Sequence, residues 1–546
     1  MFVSKFLIER LENAGVRHVF GVPGDYVLDF YKELWDSNKI KVINNTDENH
    51  SGFAADAYAR INGIGCVVVT YSVGASKVIN AVQCAYAERS PLIVISGAPG
   101  MNERNESFIL HHMVRSFNSQ KKMFDEITCA SVVLDNPVNA GYEIDKAFEA
   151  LHYYKRPIYI ELPRDIAKQS LSYDVYKQGT PTTRRTDPQN LQEAIEETVD
   201  WIKKAKQPVI LAGVEIARYK LGEQLIRFAE KHNIPVATTL LSKSVVNEQH
   251  KLFAGIYSGC NSDEATKKLV EESDCLLMFG DITTDMTLCF KPSKFEKRQV
   301  VSISVENLRI KNHTYTDIQF TDFCKTLFKL ELDFKATVAL PEIKERVVFE
   351  PKVDTKITCD RLFCKIDSIL NKNMGIVADI GDSLFGAAEL TVHHQNQFLS
   401  PAFYTSMGSA IPGALGLQIA SPNVRPIVIV GDGAFQMSCT ELSTIVSKGL
   451  NPIVFVLNND GYATERCFVE GAFNDIPRWQ YHKITETMGG KGFLVSTESE
   501  LESVVQEAID SKELVVINVL LGKKDLSSGL RRMTQGLTKK KEGNTA

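Results

Sequence analysis

One stretch limits the possible folds of this chain more than any other: Ile427 to Glu465, which reads IVIVGDGAFQMSCTELSTIVSKGLNPIVFVLNNDGYATE. An apolar, β-branched run, Ile427-Val428-Ile429-Val430, stops at Gly431-Asp432-Gly433. A helix-like segment of roughly 15 residues follows. A second apolar run, Ile453 to Leu457, ends in Asn458-Asn459-Asp460-Gly461. Two buried strands joined by a helix make a βαβ unit with parallel strands. Both polar clusters then fall at the C-terminal ends of strands, where open α/β sheets bind ligands.

The polar residues suit one kind of ligand. Asp432 offers a carboxylate, Asn459 an amide oxygen and Gly461 its backbone carbonyl. Three protein oxygens suit Mg²⁺, which keeps places for water and phosphate oxygens. Gly431 and Gly433 let the backbone approach a diphosphate, and the helix that follows points its positive end at it. An acidic turn between strand and helix is common without any ligand. The pairing of GDG with NNDG on two adjacent strand ends carries the reading.

With those residues in place, the segment resembles the diphosphate–Mg²⁺ motif of enzymes dependent on thiamine diphosphate. The similarity extends over nearly the whole chain. At 546 residues the chain is too long for one core and suggests about three domains. We expect an α/β protein of three doubly wound parallel-sheet domains: a pyrimidine-binding domain over 1–175, a middle domain over 190–340 and a diphosphate-binding domain over 355–530. Strands are predicted in the first at Val19–Val22, Cys66–Thr70, Leu92–Ser96 and Pro157–Leu162. In the middle domain they fall at Pro208–Leu211, Val236–Thr239, Cys275–Phe279 and Val300–Val305. Polar, Pro-containing stretches near 176–190 and 340–354 read as linkers, and 531–546, ending in KKKEGNTA, as a flexible tail.

Composition excludes several classes. A net charge of −5 gives no electrostatic case for nucleic acid or acidic membranes. No apolar run approaches the ~20 residues of a membrane span, and the N-terminus reads as a first domain helix, not a signal peptide. Eleven scattered cysteines without C-x-x-C spacing favour reduced thiols and a cytoplasmic protein.

In the first domain, Asp25 follows the turn Gly21-Val22-Pro23-Gly24, where an aspartate is usually a helix cap. Glu48 stands beside Asp47 at a helix start, where either carboxylate suits the dipole. His111-His112 form an adjacent pair after the polar loop 102–107. The pattern E-x₇-D-x-Y-A-R, on Glu48, Asp56, Tyr58, Ala59 and Arg60, resembles the family's cofactor-activating segment and selects Glu48 over Asp47. An aspartate after GVPG together with a histidine pair resembles the branch that decarboxylates 2-oxo acids without oxidation. The acetolactate synthase branch lacks that combination.

The same resemblance assigns roles in the third domain. Glu465 becomes the carboxylate beside the reacting carbon, and Met407 the apolar prop that holds the cofactor bent. Asp382 and Ser383 line the aminopyrimidine, and Thr70 and Ala434 join the cofactor contacts. The implied reaction turns a 2-oxo acid into an aldehyde and CO2 through an ylid and an enamine. Glu48 activates the cofactor, and Asp25, His111, His112 and Glu465 share the later proton transfers. The first and third domains of one chain usually face away from each other in this family. The site is therefore expected between subunits of a homodimer or homotetramer.

Leu384 and Thr464 stand roughly where pyruvate-specific relatives carry a Trp and an Ile, which implies a wider pocket. The segments Ala472–Trp479 and Leu526–Leu537 resemble phenylpyruvate and indolepyruvate decarboxylases, and Asp281 and Asp285 are candidates for the entrance. The expected substrate is an aryl acid such as phenylpyruvate or indole-3-pyruvate, or a bulky aliphatic one. The alternatives are a pyruvate decarboxylase or an acetolactate synthase-like carboligase, with an FAD-containing oxidase and a non-catalytic binding protein behind them. A nicotinamide enzyme or P-loop module would need G-x-G-x-x-G spacing or a P-loop lysine, and neither occurs.

Overall fold

The computed structural model of the chain describes residues 1–105, 109–171, 185–288, 300–341 and 348–543. Most of the first expected linker and much of the second lie outside the described residues, as do part of the loop before His111 and the last three residues of the tail.

The first sheet contains β1 (His18–Gly21), β2 (Lys41–Asn44), β3 (Gly65–Val69), β4 (Leu92–Ala98), β5 (Ala130–Val133) and β6 (Ile158–Pro163). All six strands are parallel, in the order β2-β1-β3-β4-β6-β5. Every residue of β3, β4 and β6 is buried, as expected of strands covered by helices on both faces. The two strands that sequence reading missed, β2 and β5, are edge strands with half-open faces and no continuous apolar run.

The middle sheet holds β7 (Pro208–Ala212), β8 (Val236–Thr239), β9 (Phe253–Tyr257), β10 (Cys275–Phe279), β11 (Val300–Ile303), β12 (Leu308–Ile310) and β13 (His313–Tyr315). Its order is β13-β12-β11-β10-β7-β8-β9, and β12 and β13 run antiparallel. The five strands from β11 to β9 are parallel, as expected, and the β12–β13 hairpin is added at one edge. The link between Ile303 and Leu308 is far too short for a parallel crossover, so the chain folds back as a hairpin.

The third sheet holds β14 (Met374–Ala378), β15 (Phe398–Leu399), β16 (Arg425–Gly431), β17 (Ile453–Asn458), β18 (Lys491–Val495) and β19 (Val515–Leu520), all parallel, in the order β15-β14-β16-β17-β19-β18. β16 and β17 are neighbours, with Gly431 opposite Leu457. The two polar clusters thus emerge side by side, as the sequence required.

The first and third domains pack against each other through one helix of each. Helix Glu48–Asn62 packs along helix Ala410–Ala420, and both contribute to one core that includes Ala54, Ala57, Ile411 and Ala414. Both helices are rich in small residues, and the second is apolar all round, so it must be covered on every side. Contact is closest at Gly416, where an added Cβ would lie 2.1 Å from the carbonyl oxygen of Ala54. We expect Gly416→Val to lower the thermal midpoint of unfolding, with an overpacking penalty of about 3 kcal/mol. An unchanged midpoint by calorimetry would contradict this account of the domain contact.

The tail also differs from expectation. Ser528–Gly543 is helical, with Leu530 and Met533 buried and Arg531 and Arg532 paired to Asp360 and Glu389. The basic run had hidden an apolar stripe that docks on the third domain. No helix among the described residues is long and apolar enough to cross a membrane. Among the described residues nine cysteines are free thiols, and Cys260 is the exception, being disulfide-bonded.

Candidate active site

Asp432 opens the helix Asp432–Ser438 directly after β16 and is almost fully buried. Its Oδ1 accepts the N–H of Gly433 at 2.8 Å, and its Oδ2 accepts the N–H of Gly461 at 3.1 Å. Burial pushes its pKa up to about 6, against the pull of these N–H groups and those of Asn459 and Asp460. Asn459 is buried too, and its Oδ1 has no hydrogen-bond partner. An orphaned buried acceptor costs about 1–3 kcal/mol. A cation held between this oxygen and the Asp432 carboxylate would remove that cost.

Gly461 reaches Asp432 through its N–H, while its carbonyl accepts from Ala463 at 3.1 Å and keeps a second lone pair. Only glycine fits here, because φ is +135° and an added Cβ would lie 2.0 Å from the carbonyl oxygen of Asn474. Gly433 is closed to a side chain, because an added Cβ would lie 2.6 Å from the ring of Tyr462, whereas the space around Gly431 is open. Ala434 is buried behind the motif. The donor set fits Mg²⁺ carrying a diphosphate.

Met407 is half-buried against the shared core. Its loop is held by Asp379, which sequence reading had not assigned a role of its own. This fully buried carboxylate accepts the N–H groups of Gly408 and Ala410, and burial raises its pKa to about 6. Asp382 is committed elsewhere. Its carboxylate accepts from the Ser527 N–H at 3.0 Å and the Cys359 thiol at 3.2 Å, tying down the approach to the C-terminal helix. The Ser383 hydroxyl is buried without a partner. Leu384 is fully buried in the third-domain core, while Thr464 sits against Gly381 in the preceding turn. Glu465 lies exposed on the short helix Ala463–Arg466. Asp281 packs against Gly213, accepts the Thr283 hydroxyl at 3.0 Å and is pushed by burial to about 6, whereas Asp285 is exposed.

The first domain supplies a second cluster. His111 Nε2 lies 2.7 Å from Asp25 Oδ2, and its Nδ1 lies 3.2 Å from the Tyr26 hydroxyl. The Tyr26 ring stacks on His111 at 4.6 Å and meets His112 edge-on, and His112 lies 4.8 Å from His111. Ligand atoms of Asp25, His111 and His112 all fall within 4.8 Å of one another. Tyr26, buried and unremarked in the sequence, thus fixes the ring plane of His111. The Gly24 turn rests on Thr70, whose buried hydroxyl lacks a partner.

Glu48 begins helix Glu48–Asn62 after Asp47, whose side chain caps the helix through the N–H of Asn49. A residue that sequence reading missed holds this segment. Glu441, fully buried just beyond the motif helix, accepts from Asn45 Nδ2 at 2.8 Å and from the Thr46 hydroxyl at 2.8 Å, and pairs with His50 at 3.3 Å. Among the described residues, no hydrogen bond or ion pair joins Asp25, Glu48, His111 or His112 to Asp432, Asn459 or Glu465. Glu441 is the carboxylate that ties the Glu48 segment to the motif helix.

The Glu441–His50 contact makes a pH prediction. Burial alone would lower the His50 pKa, but Glu441 raises it above 6.5, so this stabilisation is complete below 6.5 and is lost as pH rises through the folded value. Burial would raise Glu441, but His50 and Thr46 hold it below 4.5, so that share is lost only in acid. Glu441→Gln is therefore expected to lower the thermal midpoint more at pH 6 than at pH 9. Breaking such a buried pair costs about 3–5 kcal/mol. Equal losses at both pH values would contradict the assignment.

Comparison with known proteins joins these clusters to a family. Residues 1–124 match the N-terminal TPP binding domain of thiamine pyrophosphate enzymes, 195–329 match the central domain, and 379–519 match the C-terminal TPP binding domain. The chain is 32% identical to an indole-3-pyruvate decarboxylase of Azospirillum brasilense over 98% of both chains. It is 31% identical to a probable pyruvate decarboxylase of Schizosaccharomyces pombe, over 94% of this chain and 91% of that one. An alpha-keto-acid decarboxylase of Mycobacterium leprae is 29% identical over 98% of this chain and 95% of its own. The donor set at β16 and β17 lies inside the C-terminal match, and Asp25, Glu48 and the histidine pair lie inside the N-terminal one. By domain order, by full-length similarity and by the placement of these groups, the chain belongs to the thiamine pyrophosphate enzymes.

Proposed function

We propose that this protein catalyses the non-oxidative decarboxylation of a 2-oxo acid to an aldehyde and CO2, with thiamine diphosphate and Mg²⁺. The observation that carries the reading is the Asp25–His111–His112 cluster of the first domain, three protonatable groups within 4.8 Å. Asp432, Asn459 and Gly461 would hold Mg²⁺, with Gly431, Gly433 and Ala434 along the diphosphate. Bound thiamine diphosphate supplies the sink for the electron pair left when CO2 departs. Glu48 holds a proton at the pyrimidine ring nitrogen, Thr70 adds a hydroxyl, and Met407 braces the ring on its apolar side. His111, oriented by Tyr26 and Asp25, and His112 move the proton that the carbon atom must gain, and Glu465 shares that task.

A second copy of the chain completes the site in this reading, as a homodimer or a homotetramer. Ile109 and Val114, flanking the histidine pair, are 82% and 77% exposed in the single chain, and Phe473, beyond Glu465, is 69% exposed. Bare apolar residues of this size beside functional groups fit a face that a partner covers. The free thiols support placement in the cytoplasm.

For the substrate we favour an aryl acid, phenylpyruvate or indole-3-pyruvate, on the full-length similarity to an indole-3-pyruvate decarboxylase. Pyruvate is the second reading, supported by the similarity to a probable pyruvate decarboxylase. Aldehyde formation from phenylpyruvate, indole-3-pyruvate, 2-oxoisovalerate and pyruvate, with and without the cofactor, tests both. Higher kcat/KM on the aryl acids supports the first, and a strong preference for pyruvate overturns it. Condensation of two acids without free aldehyde would point instead to a carboligase.

A further inference from the structure

Asp47 and Glu48 are consecutive acids at one helix start, and two adjacent carboxylates on the same turn repel each other. The structure answers with a cation from another element. Lys77 lies one turn into helix Val73–Ala87, and its ammonium pairs with Asp47 Oδ2 and stands 3.0 Å from Glu48 Oε2. The Lys77 pKa is raised, first by the hydrogen bond to Asp47 and then by that to Glu48. Asp47 is also anchored by the Asn49 N–H on its other oxygen, so the ammonium has a fixed post from which to reach Glu48.

The two oxygens of Glu48 are therefore unlike. Oε2 is tied to Lys77, while Oε1 lies beside Gly74, where an added Cβ would come within 3.2 Å. Gly74 stands in the first turn of helix Val73–Ala87, whose N-terminus favours a negative group. One helix thus supplies both constraints on Glu48, a charge on one side and a bare backbone on the other.

We infer that Lys77 is a positioning residue for Glu48: its ammonium, steadied by Asp47, turns the carboxyl group so that Oε1 is the oxygen presented to the pyrimidine ring. This rests on the reading of Glu48 as the group that binds that ring. The lysine side chain is half-exposed in the single chain, and exposed pairs stabilise a fold only weakly. Its effect belongs to geometry, where a misplacement of about 1 Å can lower turnover about a hundredfold.

The test titrates metal-loaded apoprotein with thiamine diphosphate, followed by intrinsic fluorescence, for the wild type, Lys77→Met, Lys77→Arg and Glu48→Gln, with aldehyde formation and thermal midpoint measured alongside. Lys77→Met is expected to weaken cofactor binding and to lower kcat, each by about ten- to a hundredfold, with the midpoint unchanged. Lys77→Arg, which keeps the charge and reach, should recover most of both. Wild-type binding and turnover in Lys77→Met, with Glu48→Gln impaired, overturns the role of Lys77 alone. Loss in both lysine variants together with a fall in midpoint also overturns it, because the pair would then be structural. If Glu48→Gln itself binds and turns over normally, the reading of Glu48 fails, and the role of Lys77 fails with it.

Discussion

Asp432→Ala is expected to yield a folded protein that no longer retains thiamine diphosphate in the presence of Mg²⁺. The carboxylate is the only charged group in the donor set, and the orphaned Asn459 oxygen cannot hold a divalent cation by itself. Loss of a partner that merely orients a metal ligand lowers affinity about 10–100-fold, so loss of the ligand itself should exceed that range. The fold should survive. The substitution removes a buried carboxylate whose pKa burial has already raised to about 6, and it frees backbone N–H groups, those of Gly433 and Gly461 first among them. Calorimetric titration with cofactor and Mg²⁺, paired with a thermal melt of the apoprotein, checks both halves. Undiminished cofactor affinity would remove Asp432 from the site.

Glu48→Gln is expected to lower kcat for aldehyde formation by about 10²–10⁴-fold at saturating cofactor, the range for losing a positioned proton donor. The amide keeps the shape of the side chain and its place at the head of helix Glu48–Asn62. It cannot hold a proton for the ring nitrogen. The ammonium of Lys77 would also lose its second carboxylate, though Asp47 keeps it in place. Steady-state rates over a cofactor series separate a binding defect from a catalytic one. A kcat within about threefold of wild type, by direct aldehyde assay, would remove Glu48 from the proton path.

The two changes fall in different domains, Asp432 in the third and Glu48 in the first, and should act differently. Asp432→Ala should abolish loading, whereas Glu48→Gln should still load at saturating cofactor and then stall. Glu441 stands between them. Its variant should disturb the 45–50 segment through lost buried hydrogen bonds, and so show a stability defect that neither of the others shows.

How much of this could be read from the residues depends on whether the signal was local. Val428 to Val430 and Val454 to Val456 are buried on both faces, so they announce themselves as apolar runs without any partner. Asp432 and Asn459 were legible for the same reason, since adjacent parallel strands must deliver their ends to one edge. The edge strands β2 and β5 were not, because a strand with one open face carries no run of apolar residues. The hairpin β12–β13 and the C-terminal helix were missed through short length and a basic surface, which outweighed Leu530 and Met533 in the pattern.

The sequence by itself determined the three α/β units and the polar clusters at the ends of β16 and β17, and it supplied the list of acids and histidines, because each depends on residues close together in the chain. Only the tertiary structure decided which of those groups meet. It set His111 between Asp25 and Tyr26, bound Asp382 to the Ser527 N–H, joined the first and third domains at Gly416, and brought Lys77 and Glu441 to the segment around Glu48. Glu441 lies nearly 400 positions from Asn45 and Thr46, and no periodicity encodes such a contact. It exists because an apolar helix covered on all sides must press two domains together, and the buried carboxylate that results must find its hydrogen bonds there.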